Sequence, residues 1–122
     1  MTRESRPLAG RRILVVEDEY LIGKSIVDLL EDAGADVVGL VGWVDDALEF
    51  VNNRYDTIDI AILDVNLHGE KSYPIADALA ARDIRFIFVT GYKAAALEGD
   101  YKRYPHCEKP LNEMALVATL RE

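Results

Sequence analysis

The chain has 122 residues, 50% of them apolar and 30% charged, with a net charge of −8 at pH 7 and a pI of about 4.7. This length fits one domain with a hydrophobic core of its own, and the acidic balance argues against a surface that grips nucleic-acid phosphates, which calls for clustered Lys and Arg. No apolar run approaches the ~20 residues that cross a bilayer, and no apolar stretch follows the basic opening MTRESRPLAGRR before the first strand, so neither membrane insertion nor a secretory signal is expected.

Residues 1–10 read as a flexible lead-in, and residues 11–122 as a single domain without repeats or an internal linker. Ile13-Leu14-Val15-Val16 is a continuous apolar run of the kind that forms a strand covered on both faces, stopped by Glu17-Asp18-Glu19. Ile22, Ile26, Leu29, Leu30 and Ala33 then recur at helical spacing, with Gly34 placed for a left-handed C-terminal cap. Residues 37–41 predict a second strand. Asp45 and Asp46 sit in the first turn of the next helix, where negative charge is favoured, and Val44, Ala47, Leu48 and Val51 give it an apolar face.

The third strand is the run Ile58-Asp59-Ile60-Ala61-Ile62-Leu63, which ends on Asp64. Pro74 suits the first turn of a helix with Ile75, Ala78 and Leu79 facing inward. Arg85-Phe86-Ile87-Phe88-Val89 is the fourth strand, closing at Thr90-Gly91. A weak Ala-rich turn over residues 94–97 precedes a short extended piece at His106-Cys107, and Leu111, Met114, Val117 and Ala118 predict a last helical face. Cys107 is the only cysteine, which excludes an internal disulfide and fits a reducing, cytoplasmic setting. Strands alternating with helices imply βαβ units, hence an α/β fold with a doubly wound parallel sheet.

In such a sheet the C-terminal strand ends open on one edge, where ligands bind. Glu17 and Asp18 follow the first strand, Asp64 closes the third, Thr90 the fourth, and Lys109-Pro110 follow the fifth. Asp64 alone could be only a turn residue, and Glu17-Asp18-Glu19 only an acidic first helical turn. Three converging carboxylates repel unless a cation joins them. A hard divalent cation such as Mg²⁺, with Mn²⁺ as a substitute, takes oxygen ligands and leaves room for a phosphate oxygen. With Lys109 as ammonium and Thr90 as hydroxyl donor, the set predicts phosphoryl transfer with Asp64 as nucleophile.

The segments "LVVEDE" (14–19), "ILDVNLHGE" (62–70), "FVTGY" (88–92) and "EKPL" (108–111), in this order, resemble the receiver domain of two-component response regulators over the chain beyond the lead-in. The resemblance implies a flavodoxin-like (βα)5 fold with five strands in the order 2-1-3-4-5. It implies Asp64 as phosphoacceptor, and Mg²⁺ held by Asp18, Asp64 and the main-chain oxygen of Asn66, with Glu17 acting through water. Thr90 and Lys109 would meet the phosphoryl oxygens, and the Lys109–Pro110 peptide would be cis. The donor would be a histidine kinase or a phosphotransfer protein. Such a domain is a phosphoacceptor with self-phosphorylation and self-dephosphorylation chemistry rather than an enzyme.

Receivers commonly carry Tyr or Phe three residues before the lysine, a position held here by His106. The segment from Thr90 to Lys109 is also short, so a short or mobile fourth helix is expected. Both features, with "FVTGY", resemble the alphaproteobacterial single-domain receivers that share a Phe-Ala-Thr-Gly-Tyr-like motif, a resemblance that points to Tyr92 as the switch aromatic beside His106. With no effector module after Leu120-Arg121-Glu122, a stand-alone regulator signalling through protein contact is expected, without direct binding of nucleic acid. Two alternatives are a degenerate receiver that docks without phosphorylation and a Mg²⁺-dependent phosphohydrolase. The hydrolase would want a second Asp where Asn66 stands. A flavin carrier would want a Ser/Thr/Gly-rich loop where Glu17-Asp18-Glu19 stands.

Overall fold

The computed structural model describes residues 6–91, 97–109 and 111–121. In chain order the elements are β1 (Arg12–Val16), α1 (Tyr20–Asp32), β2 (Asp36–Val41), α2 (Val44–Arg54), β3 (Ile60–Asp64), β4 (Asn66–Leu67), β5 (Glu70–Lys71), α3 (Tyr73–Ala81), β6 (Arg85–Thr90), β7 (His106–Glu108) and α4 (Glu113–Arg121). Five strands form one sheet in the order β2-β1-β3-β6-β7, every pair parallel. This is the flavodoxin-like order with β6 and β7 as fourth and fifth strands. Among the described residues no helix is long and apolar enough to cross a membrane.

Period-two alternation in the three central strands divides the interior into two layers. Leu14, Val16, Ala61, Leu63, Phe86 and Phe88 point to one face and pack with Val44, Ala47 and Val51 of α2 and Ile75 and Leu79 of α3. Ile13, Val15, Ile60, Ile62, Ile87 and Val89 point to the other, against Ile26 and Leu30 of α1 and Leu116 and Leu120 of α4. Gly34, at φ +98°, ends α1 in a Schellman motif. Its N–H donates to Glu31 O and that of Ala35 to Leu30 O, both at 3.0 Å, which satisfies carbonyls the helix leaves open.

Four local features differ from the sequence expectation. Residues 6–10 are not a frayed lead-in: Leu8 is fully buried in the α1/α4 layer, and its N–H donates to Ala33 O at 2.9 Å. One apolar side chain fills the gap where α1 ends, and burying it outweighs the ordering of a short segment. The fully buried residues of α4 are Leu116 and Leu120, with Val117 and, just before the helix, Leu111 partly buried on the same layer, while Met114 is 82% exposed. Two-residue strands β4 and β5 form an antiparallel hairpin straight after Asp64. Between β6 and β7 the described helical piece is a 3₁₀ helix, Gly99–Arg103; residues 92–96, including the Ala-rich turn and Tyr92, lie outside the described residues. Tyr101 pins this piece by stacking on Tyr73 at 3.9 Å and donating its hydroxyl to Asp77 at 2.9 Å.

At the opposite edge from Asp64, Arg12 clasps the start of β3. Its backbone N–H and guanidinium donate to Asp59 at 2.8 to 3.2 Å, and these bonds hold the Asp59 carboxyl below its ordinary 3.8. A depressed carboxylate contributes stability above its unfolded pKa and loses it as pH falls through the folded one. Asp59→Asn should therefore lower the urea midpoint modestly near neutrality and flatten its fall below about pH 4, so that variant and wild type converge in acid; an unchanged acid limb would show the clasp to be idle. Leu8→Ala should lower the unfolding free energy by about 2–4 kcal/mol in urea titration. A loss near zero would return residues 6–10 to a loose lead-in.

Candidate functional site

Because β1, β3 and β6 are parallel neighbours, their last residues meet at one edge. Glu17 and Asp18 leave β1 there, Asp64 ends β3 and Thr90 ends β6. Lys109 leaves β7 beside them, its N–H donating to Thr90 O at 2.7 Å. Carboxylate oxygens of Glu17, Asp18 and Asp64 lie within 4.8 Å of one another. The Lys109 ammonium bridges two of them, donating to Glu17 Oε1 at 2.6 Å and to Asp64 Oδ2 at 2.9 Å. Glu17 and Asp64 are both buried.

One ammonium facing three carboxyl groups leaves excess negative charge in a poorly hydrated place. Burial, followed by hydrogen bonding with Asp64, pushes the Glu17 carboxyl up to about 8 against the opposing pull of Lys109. Burial acts against the Lys109 ammonium too, but its bonds to Glu17 and Asp64 outweigh this and raise its pKa. Burial would also raise Asp18, yet the His68 N–H donating to its Oδ2 at 3.0 Å, together with the nearby groups, leaves it lowered. The donor set is three hard oxygen ligands short of positive charge, which fits a hard divalent cation.

Local backbone brings the parts together. Gly23 lies inside α1, where glycine weakens a helix by about 1 kcal/mol. A Cβ there would come within 2.8 Å of Leu40 Cδ1 and 3.5 Å of Glu17 Cγ, so its absence lets α1 settle over the Glu17 stem. Asn66 opens β4 and donates its N–H to Asp64 Oδ1 at 3.3 Å. The Thr90 hydroxyl is fully buried and has no hydrogen-bond partner among the described residues. Such an orphan is costly and marks a place where an oxygen-bearing group would be welcome.

The edge thus assembles Glu17, Asp18, Asp64, Asn66, Thr90 and Lys109. His106 is not drawn in: it is exposed on β7, with Nδ1 3.5 Å from Tyr104 O. Tyr92 and Pro110, and with Pro110 the expected cis peptide, lie outside the described residues. Sequence reasoning missed the bond from His68 to Asp18 and the stack of His68 on Trp43, whose ring centroids are 3.6 Å apart at 13°. The available signal was His68-Gly69, a pair suited to a tight hairpin turn.

Residues 13–121 match the family model of the response regulator receiver domain, and the chain belongs to that family. It is similar to the solution structure of SdrG from Sphingomonas melonis Fr1, with 43% identity and a TM-score of 0.81, covering 93% of this chain and 94% of that one. The BeF3-activated conformation of SdrG, given as from Pseudomonas melonis Fr1, matches at 42% identity and a TM-score of 0.79, over 93% of this chain and 98% of that one. The transcriptional regulatory protein PdtaR of Mycobacterium tuberculosis is 28% identical over 88 residues, 72% of this chain. The chain spans 42% of the length of that curated relative.

The Thr90 hydroxyl, unpartnered among the described residues, has a thermodynamic signature. Thr90→Val keeps the shape and removes the orphan, so it should leave the unmodified protein as stable or more stable by up to about 1 kcal/mol in urea titration. A loss of more than about 1 kcal/mol would show that the hydroxyl already has a partner.

Proposed function

We propose that this receiver takes a phosphoryl group on Asp64 from a histidine kinase or phosphotransfer protein and signals through protein contact. The observation that carries this reading is the Lys109 ammonium at 2.9 Å from Asp64 Oδ2, beside a buried Thr90 hydroxyl that lacks a partner among the described residues. An Asp64 oxygen attacks phosphorus, the P–N bond to the donor imidazole breaks, and the electron pair leaves with the imidazole. Lys109 and Thr90 donate to the transferred oxygens, where charge-assisted hydrogen bonds are strongest. Asp18, Asp64 and the main-chain oxygen of Asn66 would hold Mg²⁺, with Glu17 in support. The cation would neutralise phosphoryl charge.

The likeness to SdrG, for which a BeF3-activated conformation exists, supports phosphorylation-dependent signalling over passive docking, since beryllofluoride imitates a phosphoryl group. A groove of about 650 Å³ beside Lys109, lined by Leu21, Ile22 and Ser25 of α1 together with Gly91 and Leu111, is continuous with the site and suits a helix that presents the donor histidine. After transfer, Thr90 is drawn toward the new charge, and Tyr92, two residues on in sequence, rather than exposed His106, is the aromatic a partner reads.

Acetyl phosphate with Mg²⁺ should add one phosphoryl group, seen by intact mass, that is absent from Asp64→Asn. Asp18→Ala should slow the reaction by about tenfold or more. A full-rate adduct on Asp64→Asn would sink the assignment.

A further inference from the structure

The β4–β5 hairpin has two ladder pairs, Asn66 with Lys71 and Leu67 with Glu70. An isolated two-stranded hairpin is marginal in water. Its turn residues His68 and Gly69 both have positive φ, 50° and 86°, as a type I′ turn requires. Asn or Asp is the usual first residue there, and histidine is among the few other side chains that enter this backbone region readily. Histidine brings to that position a ring that Asn and Asp lack, and the ring is held by a parallel stack on Trp43.

Trp43 is 53% exposed and stands in extended backbone just before α2. The residue before it, Gly42, presses on the turn after β1: a Cβ there would lie 3.3 Å from Glu17 O and 3.4 Å from the Asp18 Cα. Three loops that leave β1, β2 and β3 are thus tied together. Gly42 touches the Glu17-Asp18 backbone, Trp43 holds the His68 ring, and the His68 N–H holds the Asp18 carboxylate.

We propose that Trp43 and His68 form a clamp that keeps the His68 amide on Asp18 and so sets the orientation of that carboxylate for a divalent cation. Both are positioning residues and act only through Asp18. The inference rests on the cation reading of the site and adds to it two residues outside the carboxylate cluster. Support around a ligating carboxylate commonly changes metal affinity by about 10–100-fold. Trp43 is also the only tryptophan in the chain, so its emission reports the clamp directly.

The test is MgCl₂ titrated calorimetrically into the full chain, with exchange of the His68 amide followed by NMR. Trp43→Ala and His68→Gly should each weaken Mg²⁺ binding about tenfold and speed exchange of the amide at position 68. His68→Gly keeps the amide and relieves the turn, so its loss of affinity would come with an unchanged or higher melting temperature, which a merely structural role would not produce. Trp43→Phe keeps a flat ring and should restore most of the affinity. The double variant should bind no more weakly than either single one, because both changes break one contact. Affinities within about twofold of wild type in Trp43→Ala and His68→Gly, or losses that simply add, would overturn the clamp. A wild-type chain that binds no Mg²⁺ would overturn the cation reading itself, and the clamp with it.

Discussion

Burial of the central sheet on both faces is the constraint from which the rest follows. With α2 and α3 on one side and α1 and α4 on the other, no residue inside β1, β3 or β6 can be polar without an internal partner. Polar chemistry is therefore expelled to the ends of the strands. At one end it makes the Arg12–Asp59 clasp; at the other it collects Glu17, Asp18, Asp64, Thr90 and Lys109. The same packing that excludes water from the interior leaves the site half-desolvated, which is why the charges there perturb one another so strongly.

Desolvation also explains why the site is arranged around an ammonium. Buried Glu17 and Asp64 would be expensive without a counter-charge, and Lys109, 92 positions from Glu17 in sequence, supplies it only when β7 is in register with β6. Assembly of the last strand and neutralisation of the site are one event. The remaining negative charge, and a Thr90 hydroxyl without a partner among the described residues, are costs that the packing leaves in place. A protein selected for stability alone would have closed both.

Much of this was legible in the chain. Continuous apolar runs marked the buried strands because both faces are covered, and Asp64 stood out because it terminates such a run. The phase of α4 was harder: Leu111 and Val117 do pack on the α1/α4 layer, but Met114, read with them, is exposed, and Leu116 with Leu120 are the residues fully buried there. Leu8 is a single apolar residue in a basic stretch, without any period to betray it. The β4–β5 hairpin has two residues per strand, too few for alternation to register. Where an interaction depends on residues far apart in sequence, such as the amide of His68 on Asp18, local pattern has nothing to say.

The guanidinium of Arg85, at the start of β6, donates to the last carbonyls of α4, those of Thr119 and Leu120. Since β6 begins at the edge opposite Asp64, α4 delivers the chain's far end to that same opposite edge, where Leu8 already fixes the near end beneath α1. Leu8 and Leu120, far apart in the chain, thus both lie toward the edge away from Asp64. Any coupling between Asp64 and this opposite edge would have to run the length of the central strands, through β3 and β6 from Asp64 back to Arg85.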